Sequence, residues 1–274
     1  MPNHTPDPFK LLMFDLDDTL YDFTRNWPLA LKATFQQLDF TRGFELALLY
    51  ETFEKHSTGM WPLVESGQLS FQAYRFRRLE QALLEFARPI TEEEYDSFNR
   101  LFIEQSLSRI ERDEALITMF NRFAAEGRQL AIVTNGPGDI SMQKLERLGL
   151  ERHFNEETVV ISEKVGYAKP DSRIYRRMLD FFGTQPEQAL FIGDSWHADV
   201  QGPMQAGIAA VWVNRAQLPI PSDASASASA PAVAMTLATE PVPALAPYAT
   251  IKHIAELNAI LSTLPIIQGR NQPS

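Results

Sequence analysis

The spacing of apolar residues changes twice along the chain. A short apolar run ends at Phe14 and is closely bounded, as expected of a buried strand in a parallel sheet. From Tyr21 to about Arg112 the strand signals vanish, and apolar residues recur at helical spacing. Beyond Arg112, strand-like and helix-like segments alternate, and glycines stand where the helices should end. The pattern predicts an α/β unit that is interrupted near its start by a helical insertion.

The alternating segments predict a sheet. Five buried strands are expected, at residues 10–14, 129–134, 158–162, 189–193 and 209–213. The helices between them are expected at about 113–126, 139–148 and 171–182, with a fourth that ends before Gly207. Strands joined by helical crossovers run parallel and carry helices on both faces. The predicted fold class is therefore α/β, with a doubly wound, five-stranded parallel Rossmann-like core formed by residues 1–20 and 113–274.

The insertion, residues 21–112, is predicted to be a helical cap domain. Its helical signals fall at 27–38, 44–53, 71–86 and 95–107, and Thr91 with Glu94 forms a capping box before the last of them. An independent helical domain would show the same signals. Both ends of the insertion return to the same edge of the sheet, however, so we expect it to cover that edge as a lid that excludes water.

Composition and charge narrow the classes of function. With 274 residues and 45% apolar content, the chain can bury the core of one α/β domain that carries a smaller one. The absence of Cys excludes disulfides, thiolate nucleophiles and Cys-based zinc sites. There is no signal-peptide pattern and no apolar stretch of about 18 residues. The formal charge of -10 argues against binding of nucleic acid. We expect a cytoplasmic monomer or homodimer that contacts neither membrane nor nucleic acid.

Three carboxylates, Asp15, Asp17 and Asp18, follow the first strand within four positions. Open α/β sheets bind their ligands at this edge. Asp15 and Asp17 stand two apart and can face one pocket, where crowded negative charge implies a bound cation or a carboxyl group that stays protonated. The alternative is a solvated acidic turn in which Thr19 caps a helix.

Polar groups also follow the second and third strands. Thr134, Asn135 and Gly136 offer a hydroxyl, an amide and a flexible backbone that can donate hydrogen bonds to phosphate oxygens, although this triplet is also a common turn. Beyond the third strand, Pro170 stiffens the chain and presents Lys169 at the start of a helix. A lone Lys at such a position is usually a surface residue.

The fourth strand ends in Gly193 and is followed by two further carboxylates, Asp194 and Asp199, at the start of a helix. An all-oxygen set suits Mg²⁺, although an Asp at a helix start is also an ordinary cap. The order DxDxT, TN, KP and GDSxxxD, each after its own strand, resembles the four motifs of the haloacid dehalogenase-like (HAD) superfamily. Members of that superfamily are mostly magnesium-dependent phosphatases. Segments 20–23, 59–76 and 162–169 are similar to its bacterial pyrimidine 5'-nucleotidase branch.

The resemblance implies a mechanism. Asp15 would attack phosphorus and form an aspartyl phosphate. Asp17 would be the general acid for the leaving group and then the base that activates water. Mg²⁺ would be held by Asp15, the carbonyl of Asp17 and Asp194, with Asp199 orienting the metal waters.

The remaining motif residues are assigned in the same way. Lys169 and Thr134, with Asn135 beside it, would stabilise the equatorial oxygens of the phosphoryl group. Asp18 matches a variable motif position and is expected to be a loop residue. His197 is expected on the surface of its helix.

The implied substrate is a small phosphorylated metabolite, with a nucleoside 5'-monophosphate favoured. In the cap, Trp61 offers a flat surface for a base, and Arg75 offers a donor to its carbonyl or to a sugar hydroxyl. Trp61 can equally pack cap helices, and Arg75 lies in a basic run that can be a solvated helix face. Sugar phosphates, phosphoglycolate and flavin mononucleotide stay open as substrates.

Asp17 separates the rival reactions of the same superfamily. Hydrolytic dehalogenases and phosphonate-cleaving enzymes usually lack a carboxylate at this position, so both are disfavoured. A phosphosugar mutase stays open. A ligand-binding relative without activity would be expected to have lost part of the motif set, which is complete here at Asp15, Asp17, Thr134, Lys169 and Asp194.

Residues 218–247 depart from the family pattern. They are rich in Ala, Ser and Pro, a composition that cannot bury a core, and they are predicted to form a flexible surface insertion. Residues 248–251 are then expected to form a short edge strand and residues 252–263 a closing helix.

Overall fold

The computed structural model describes residues 9–221 and 246–262. The strands are β1 (Leu11–Phe14), β2 (Gln129–Thr134), β3 (Val159–Ile161), β4 (Ala189–Gly193), β5 (Ala209–Val213) and β6 (Ala249–Ile251). The helices are α1 (Phe23–Gln37), α2 (Leu46–Glu65), α3 (Phe71–Leu84), α4 (Glu92–Leu107), α5 (Glu114–Ala125), α6 (Ser141–Leu148), α7 (Ser162–Val165), α8 (Ser172–Phe182), α9 (Gly202–Gln205) and α10 (Leu257–Ser262).

The strands form one parallel sheet in the order β3-β2-β1-β4-β5-β6. The predicted α/β class is confirmed, but the predicted count of five strands is one too low. The sixth strand is the segment expected at 248–251, which pairs with β5 and places Ala249 opposite Val211. The strand order reverses between β1 and β4, and ligands of such sheets bind in the crevice beyond the carboxyl ends of the strands at that point.

Strand β1 is buried on both faces, which explains why it is an uninterrupted apolar run. Phe14 points to the face covered by α5, where its ring lies 4.9 Å from that of Phe120. Met13 points to the opposite face and belongs to the cluster that contains Tyr175 of α8. This two-sided packing holds the end of β1 in place, so the loop that follows it starts from a rigid strand.

Helices α1 to α4 pack around a separate aromatic cluster that includes the buried rings of Phe35, Phe53 and Phe98. The capping box of Thr91 and Glu94 at the start of α4 is confirmed. All four helices fall inside the segment 21–112 that was assigned to the cap. The exact domain boundaries at 20 and 112 stay a prediction.

The carboxyl-terminal part differs from expectation in one respect. Helix α10 begins at Leu257 instead of near Lys252, because a capping box of His253 and Glu256 first closes a short 3₁₀ turn. Most of the predicted insertion at 218–247 lies outside the described residues. Among the helices of residues 9–221 and 246–262, none is long and apolar enough to cross a membrane.

Candidate active site

The first and fourth motifs meet because β1 and β4 are neighbours in the sheet. Asp15 directly follows β1, and its backbone N–H donates to the carbonyl of Ile192 in β4 at 2.9 Å. Asp194 directly follows β4. Carboxylate oxygens of Asp15, Asp194 and Asp199 lie within 4.8 Å of one another. The switch point of the sheet therefore holds three carboxylates in one small volume.

Lys169 lies in the middle of this acidic cluster. Its Nζ is 2.6 Å from Oδ1 of Asp15 and 2.7 Å from Oδ1 of Asp199, and its side chain is buried. Asn135 holds the Lys169 backbone from the second motif, accepting from its N–H at 2.8 Å and donating to its carbonyl at 3.0 Å. The structure thus places Lys169 at the site and not on the surface, and it places Asn135 behind Lys169 as a support.

Asp199 reaches Lys169 from a short π-helix, residues 196–201, that follows β4. Its second oxygen accepts from the backbone N–H of Ser195 at 3.0 Å. A Cβ atom at Gly193 would lie 2.4 Å from the Asp199 side chain, so only glycine allows this approach. In this arrangement Asp199 is the counter-ion of Lys169, and its predicted role at the metal waters stays a prediction.

Thr19 lies between two carboxylates of the acidic cluster, Asp15 and Asp194. Its hydroxyl is fully buried and lies 3.2 Å from Oδ1 of Asp194 and 3.4 Å from Oδ2 of Asp15. Asp15 itself is only 6% exposed. A solvated acidic turn would leave these groups in water. The geometry therefore favours the alternative expectation, in which the carboxylates face one pocket.

The crowding of these groups perturbs their protonation. Burial raises the pKa of Asp15 well above its usual value, and Asp199 and Asp194 add to this effect while Lys169 opposes it. Burial, with Asp199 and Asp18, raises the pKa of Asp194 to about 7. Burial alone would lower the pKa of Lys169, but the carboxylates of Asp15 and Asp199 raise it, so this side chain stays protonated. A divalent cation would relieve the excess of negative charge.

Asp17 lies beside the acidic cluster and has a partner that the sequence did not reveal. Both of its carboxylate oxygens accept from Nζ of Lys144, at 2.7 and 2.8 Å. A Cβ atom at Gly136 would lie 3.4 Å from Oδ2 of Asp17 and 3.2 Å from Oγ1 of Thr134, so this carboxyl group also borders the turn after β2. Lys144 shares the buried face of α6 with Leu148, and a Lys on an apolar helix face was the signal available in the sequence.

The two cap residues predicted to contact substrate have other contacts as well. The Trp61 ring packs edge-on against Phe71 and Tyr74 of α3 at centroid distances of 6.3 and 5.6 Å. Arg75 makes a bidentate ion pair with Asp139, in the loop between β2 and α6, at 2.6 and 3.1 Å. Arg75 therefore connects the helical insertion to the carboxyl edge of the sheet, where the loops after β1, β2 and β4 meet; we call this edge, with Asp15, Asp17, Lys169 and Asp194, the proposed catalytic edge, or catalytic edge. Contact of either residue with substrate stays a prediction.

Asp18 and His197 lie where they were expected, in a loop and on the protein surface. Asp18, at φ 59°, accepts from the backbone N–H and hydroxyl of Thr24 at 2.8 Å each, so it is a loop residue that anchors the start of α1. His197 is exposed, and its ring lies 2.9 Å from the side chain of Gln201.

Comparison with known proteins places this geometry in a family. A family model described as haloacid dehalogenase-like hydrolase matches residues 9–207. The phosphoserine phosphatase of Thermus thermophilus is 34% identical over 236 residues, covering 77% of this chain and 90% of that protein. The pyrimidine 5'-nucleotidase YjjG of Escherichia coli is 26% identical over 204 residues, covering 74% and 85%.

Comparison with solved structures finds the same fold. The solved structure of the HAD-hydrolase YfnB of Bacillus subtilis, bound to magnesium, superposes with a TM-score of 0.70 at 22% identity and covers 93% of this chain and 99% of that one. The matched segment 9–207 contains all four motif loops that meet at the carboxyl edge of the sheet. As its motif order predicted, the chain belongs to the haloacid dehalogenase-like hydrolase family.

Proposed function

We propose that the protein is a magnesium-dependent phosphatase that hydrolyses a small phosphate monoester through an aspartyl-phosphate intermediate. The observation that carries the proposal is the setting of Asp15, a buried carboxylate at the switch point of the sheet with the Lys169 ammonium 2.6 Å away. Asp17 follows two residues later. A carboxylate nucleophile, a cation beside the transferred oxygens and a second carboxylate for proton transfer are the groups that this reaction needs.

The reaction has two halves. In the first, an oxygen of Asp15 forms a bond to phosphorus while the ester bond breaks, and the leaving oxygen takes a proton from Asp17. In the second half, a water molecule attacks phosphorus and gives a proton to Asp17. The bond between phosphorus and the Asp15 oxygen breaks, so inorganic phosphate is released and the Asp15 carboxylate is restored. Asp17 therefore ends the cycle in the protonation state in which it began.

Lys169 stabilises the negative charge that builds up on the phosphoryl oxygens. Its position is fixed on two sides, by the carboxylate of Asp199 and by the backbone hydrogen bonds of Asn135. Thr134 lies at the end of β2, 1% exposed, and its hydroxyl accepts from the Gly136 backbone at 3.0 Å. We assign its hydroxyl to the phosphoryl oxygens together with Lys169.

The donor set at the cluster fits Mg²⁺. Asp15, Asp194 and Asp199 offer only carboxylate oxygens, which favour magnesium or manganese over zinc. When bound by Asp15, Asp194 and the carbonyl of Asp17, Mg²⁺ would neutralise charge on nucleophile and phosphate so that the two anions can meet. Asp199 pairs with Lys169 directly, so we assign it to the metal only through the waters.

For the substrate we propose a nucleoside 5'-monophosphate, with O-phosphoserine as the second candidate. Similarity to the nucleotidase YjjG over 85% of its length supports the first, together with the cap segment around Trp61. The identity of 34% with a phosphoserine phosphatase supports the second. Asp17, paired with Lys144, counts against a haloacid dehalogenase, whose reaction needs no acid at that position.

Phosphate release over a panel of esters tests the proposal. The panel contains pyrimidine and purine nucleoside monophosphates, O-phosphoserine, phosphoglycolate, sugar phosphates and flavin mononucleotide, each with Mg²⁺ present. We expect release by the wild type and none by Asp15→Asn, with a pyrimidine nucleotide among the best substrates by kcat/KM. A lead of tenfold or more for sugar phosphates, about 1.4 kcal/mol in transition-state binding, would remove the nucleotidase assignment and leave the phosphatase one.

A further inference from the structure

Lys144 is a buried lysine at the catalytic edge to which the proposed mechanism gives no role. Its side chain is 2% exposed, and its Nζ lies 2.7 and 2.8 Å from the two carboxylate oxygens of Asp17. Removing an ammonium group from water costs several kcal/mol unless a charged partner is held in good geometry. The contact with Asp17 therefore determines where both side chains can lie.

The position of Lys144 is built by α6 and by the start of the cap. The backbone N–H of Lys144 donates to the carbonyl of Ile140 at 2.9 Å, in the first turn of α6. The ammonium group lies over the rings of Tyr21 and Phe23, 5.4 and 5.5 Å from their centroids. Phe23 is the first residue of the cap helix α1. Lys144 thus contacts Asp17 and the segment from which the cap begins.

The turn after β2 also lies close to the Asp17 carboxyl group. An added Cβ at Gly136 would lie 3.4 Å from Oδ2 of Asp17, within ordinary contact distance. The carboxyl group therefore lies near both the Lys144 ammonium and the turn that carries Thr134. This places Asp17 beside the turn that the proposed mechanism assigns to the phosphoryl oxygens.

We propose that Lys144 is a positioning residue that holds the carboxyl group of Asp17 in line with the leaving oxygen and couples this position to the base of the cap. The inference rests on the proposed function, because it assumes that Asp17 transfers a proton to that oxygen. Without Lys144, the Asp17 carboxyl group keeps its hydrogen bond with the Tyr21 side chain but loses its ion pair. It can then turn away from the leaving group.

Loss of this position affects some substrates more than others. An alkyl alkoxide is a poor leaving group and needs its proton during bond cleavage, and a positioned general acid contributes about 10²- to 10⁴-fold to such a step. A nitrophenolate leaves without a proton. The ratio of kcat/KM for an alkyl phosphate to that for p-nitrophenyl phosphate therefore reports on the position of Asp17.

The test compares Lys144→Met, Lys144→Arg and the exposed-site control Lys252→Met on one alkyl phosphate and on p-nitrophenyl phosphate. For Lys144→Met we expect the alkyl-to-aryl ratio to fall about tenfold or more. The ratio should recover in part in Lys144→Arg, which keeps the cation, and stay at the wild-type value in Lys252→Met. In an Asp17→Asn background, Lys144→Met should change the ratio no further.

Three outcomes would overturn the role of Lys144. They are an unchanged ratio in Lys144→Met, equal losses on both esters accompanied by a lower melting temperature, and a full additional loss in the Asp17→Asn background. If Lys144→Met does not fold, Lys144→Gln and Lys144→Arg give the same comparison. A wild-type protein that hydrolyses neither ester overturns the phosphatase assignment itself, which separates the two failures.

Discussion

Buried charged side chains have different partners at the catalytic edge and in the cap helices α1 to α4. At the edge, the buried ammonium groups of Lys169 and Lys144 each lie within 2.8 Å of carboxylate oxygens. In the cap, Arg78 is 4% exposed, and its guanidinium lies over the rings of Trp27 and Phe53 at 4.9 Å. Within the described part of the chain, the one hydrogen bond of Arg78 goes to the hydroxyl of Tyr74.

Under the proposed function, this is the difference expected between charged groups that take part in a reaction and charged groups that pack a core. Several carboxylates lie close together at the catalytic edge, where burial and neighbouring carboxylates raise the pKa of Asp15 and Asp194. The repulsion between these carboxylates opposes folding. In the cap, burial lowers the pKa of Arg78, and ring contacts of about 0.5–2 kcal/mol offset part of its desolvation. Substitutions at the edge should therefore change turnover more than stability, and substitutions in the cap core should do the reverse.

The largest effect is expected for Asp15→Asn. Removal of the nucleophile should lower kcat by about 10⁴-fold or more, while the melting temperature should hold or rise because one of three crowded carboxylates is gone. Turnover of p-nitrophenyl phosphate and thermal unfolding measure the two effects. Near wild-type turnover in a preparation free of host phosphatases would show that another group is the nucleophile.

The second largest effect is expected for removal of the metal. Exhaustive EDTA treatment should silence the enzyme, and added Mg²⁺ should restore it, because the cluster of Asp15, Asp194 and Asp199 offers only oxygen ligands. Unfolding should change less than activity. Full activity of a chelated sample in which mass spectrometry detects no metal would refute the metal requirement.

Truncation in the cap core tests the other side of the comparison. Phe98 is 2% exposed and packs on Phe35 at 5.6 Å and on Phe53 at 5.9 Å. Phe98→Ala should lower the free energy of unfolding by about 3–5 kcal/mol in urea, because it leaves a cavity among these rings. Phe98→Leu is the matched control and should lose less. A loss below about 1 kcal/mol in Phe98→Ala would contradict this account of the cap core.

The ion pair of Arg75 with Asp139 joins the two regions and should have a small effect on stability. Arg75 is 12% exposed and Asp139 43%, so breaking the pair should cost about 1 kcal/mol or less. If Arg75 also contacts substrate, Arg75→Met should lower kcat/KM for a nucleotide more than Asp139→Asn does. Equal values for both single variants and for the double variant would restrict Arg75 to the ion pair.

The smallest effect concerns acid stability of the cap. Hydrogen bonds from Arg88 and from the Thr91 backbone lower the pKa of Glu94 below its usual value. A depressed carboxyl pKa contributes stability that is present above the unfolded value near 4.5 and is lost as pH falls through the folded value. Solvent screening should keep this below about 0.5 kcal/mol. Glu94→Gln should flatten the pH dependence of urea unfolding between neutral and acidic pH, whereas an unchanged profile would exclude Glu94 as its source.

The catalytic edge could be predicted from sequence because the first, second and fourth motifs directly follow short apolar runs, and the third lies a few residues beyond one. Parallel strands bring their carboxyl ends to one edge, so Asp15, Lys169 and Asp194 converge without any knowledge of side-chain packing. The same logic assigned Asn135 to the phosphate oxygens, which stays a prediction, but it did not indicate that the Asn135 side chain holds the Lys169 backbone. A motif gives the position of a residue in the fold but not the direction of its hydrogen bonds.

Contacts between distant elements could not be predicted in this way. Lys144 and Asp17 are 127 positions apart and meet only because α6 packs beside the loop after β1. Arg75 and Asp139 meet through the placement of the cap, which apolar spacing does not define. Strand β6 was expected as a short edge strand at 248–251 but was not counted among the five buried strands, and its register against β5 could not be predicted across the intervening Ala, Ser and Pro-rich segment.

The most direct test of the central claim is a rapid acid quench during turnover, followed by mass spectrometry of the peptide that contains Asp15. The account predicts a phosphoryl group on Asp15 in the wild type and its absence in Asp15→Asn. Asp17→Asn should accumulate more of it with an activated aryl ester, because the base for the attacking water is missing. Release of inorganic phosphate with the phosphoryl group on a different residue, or with none on this peptide at any quench time, would contradict the account.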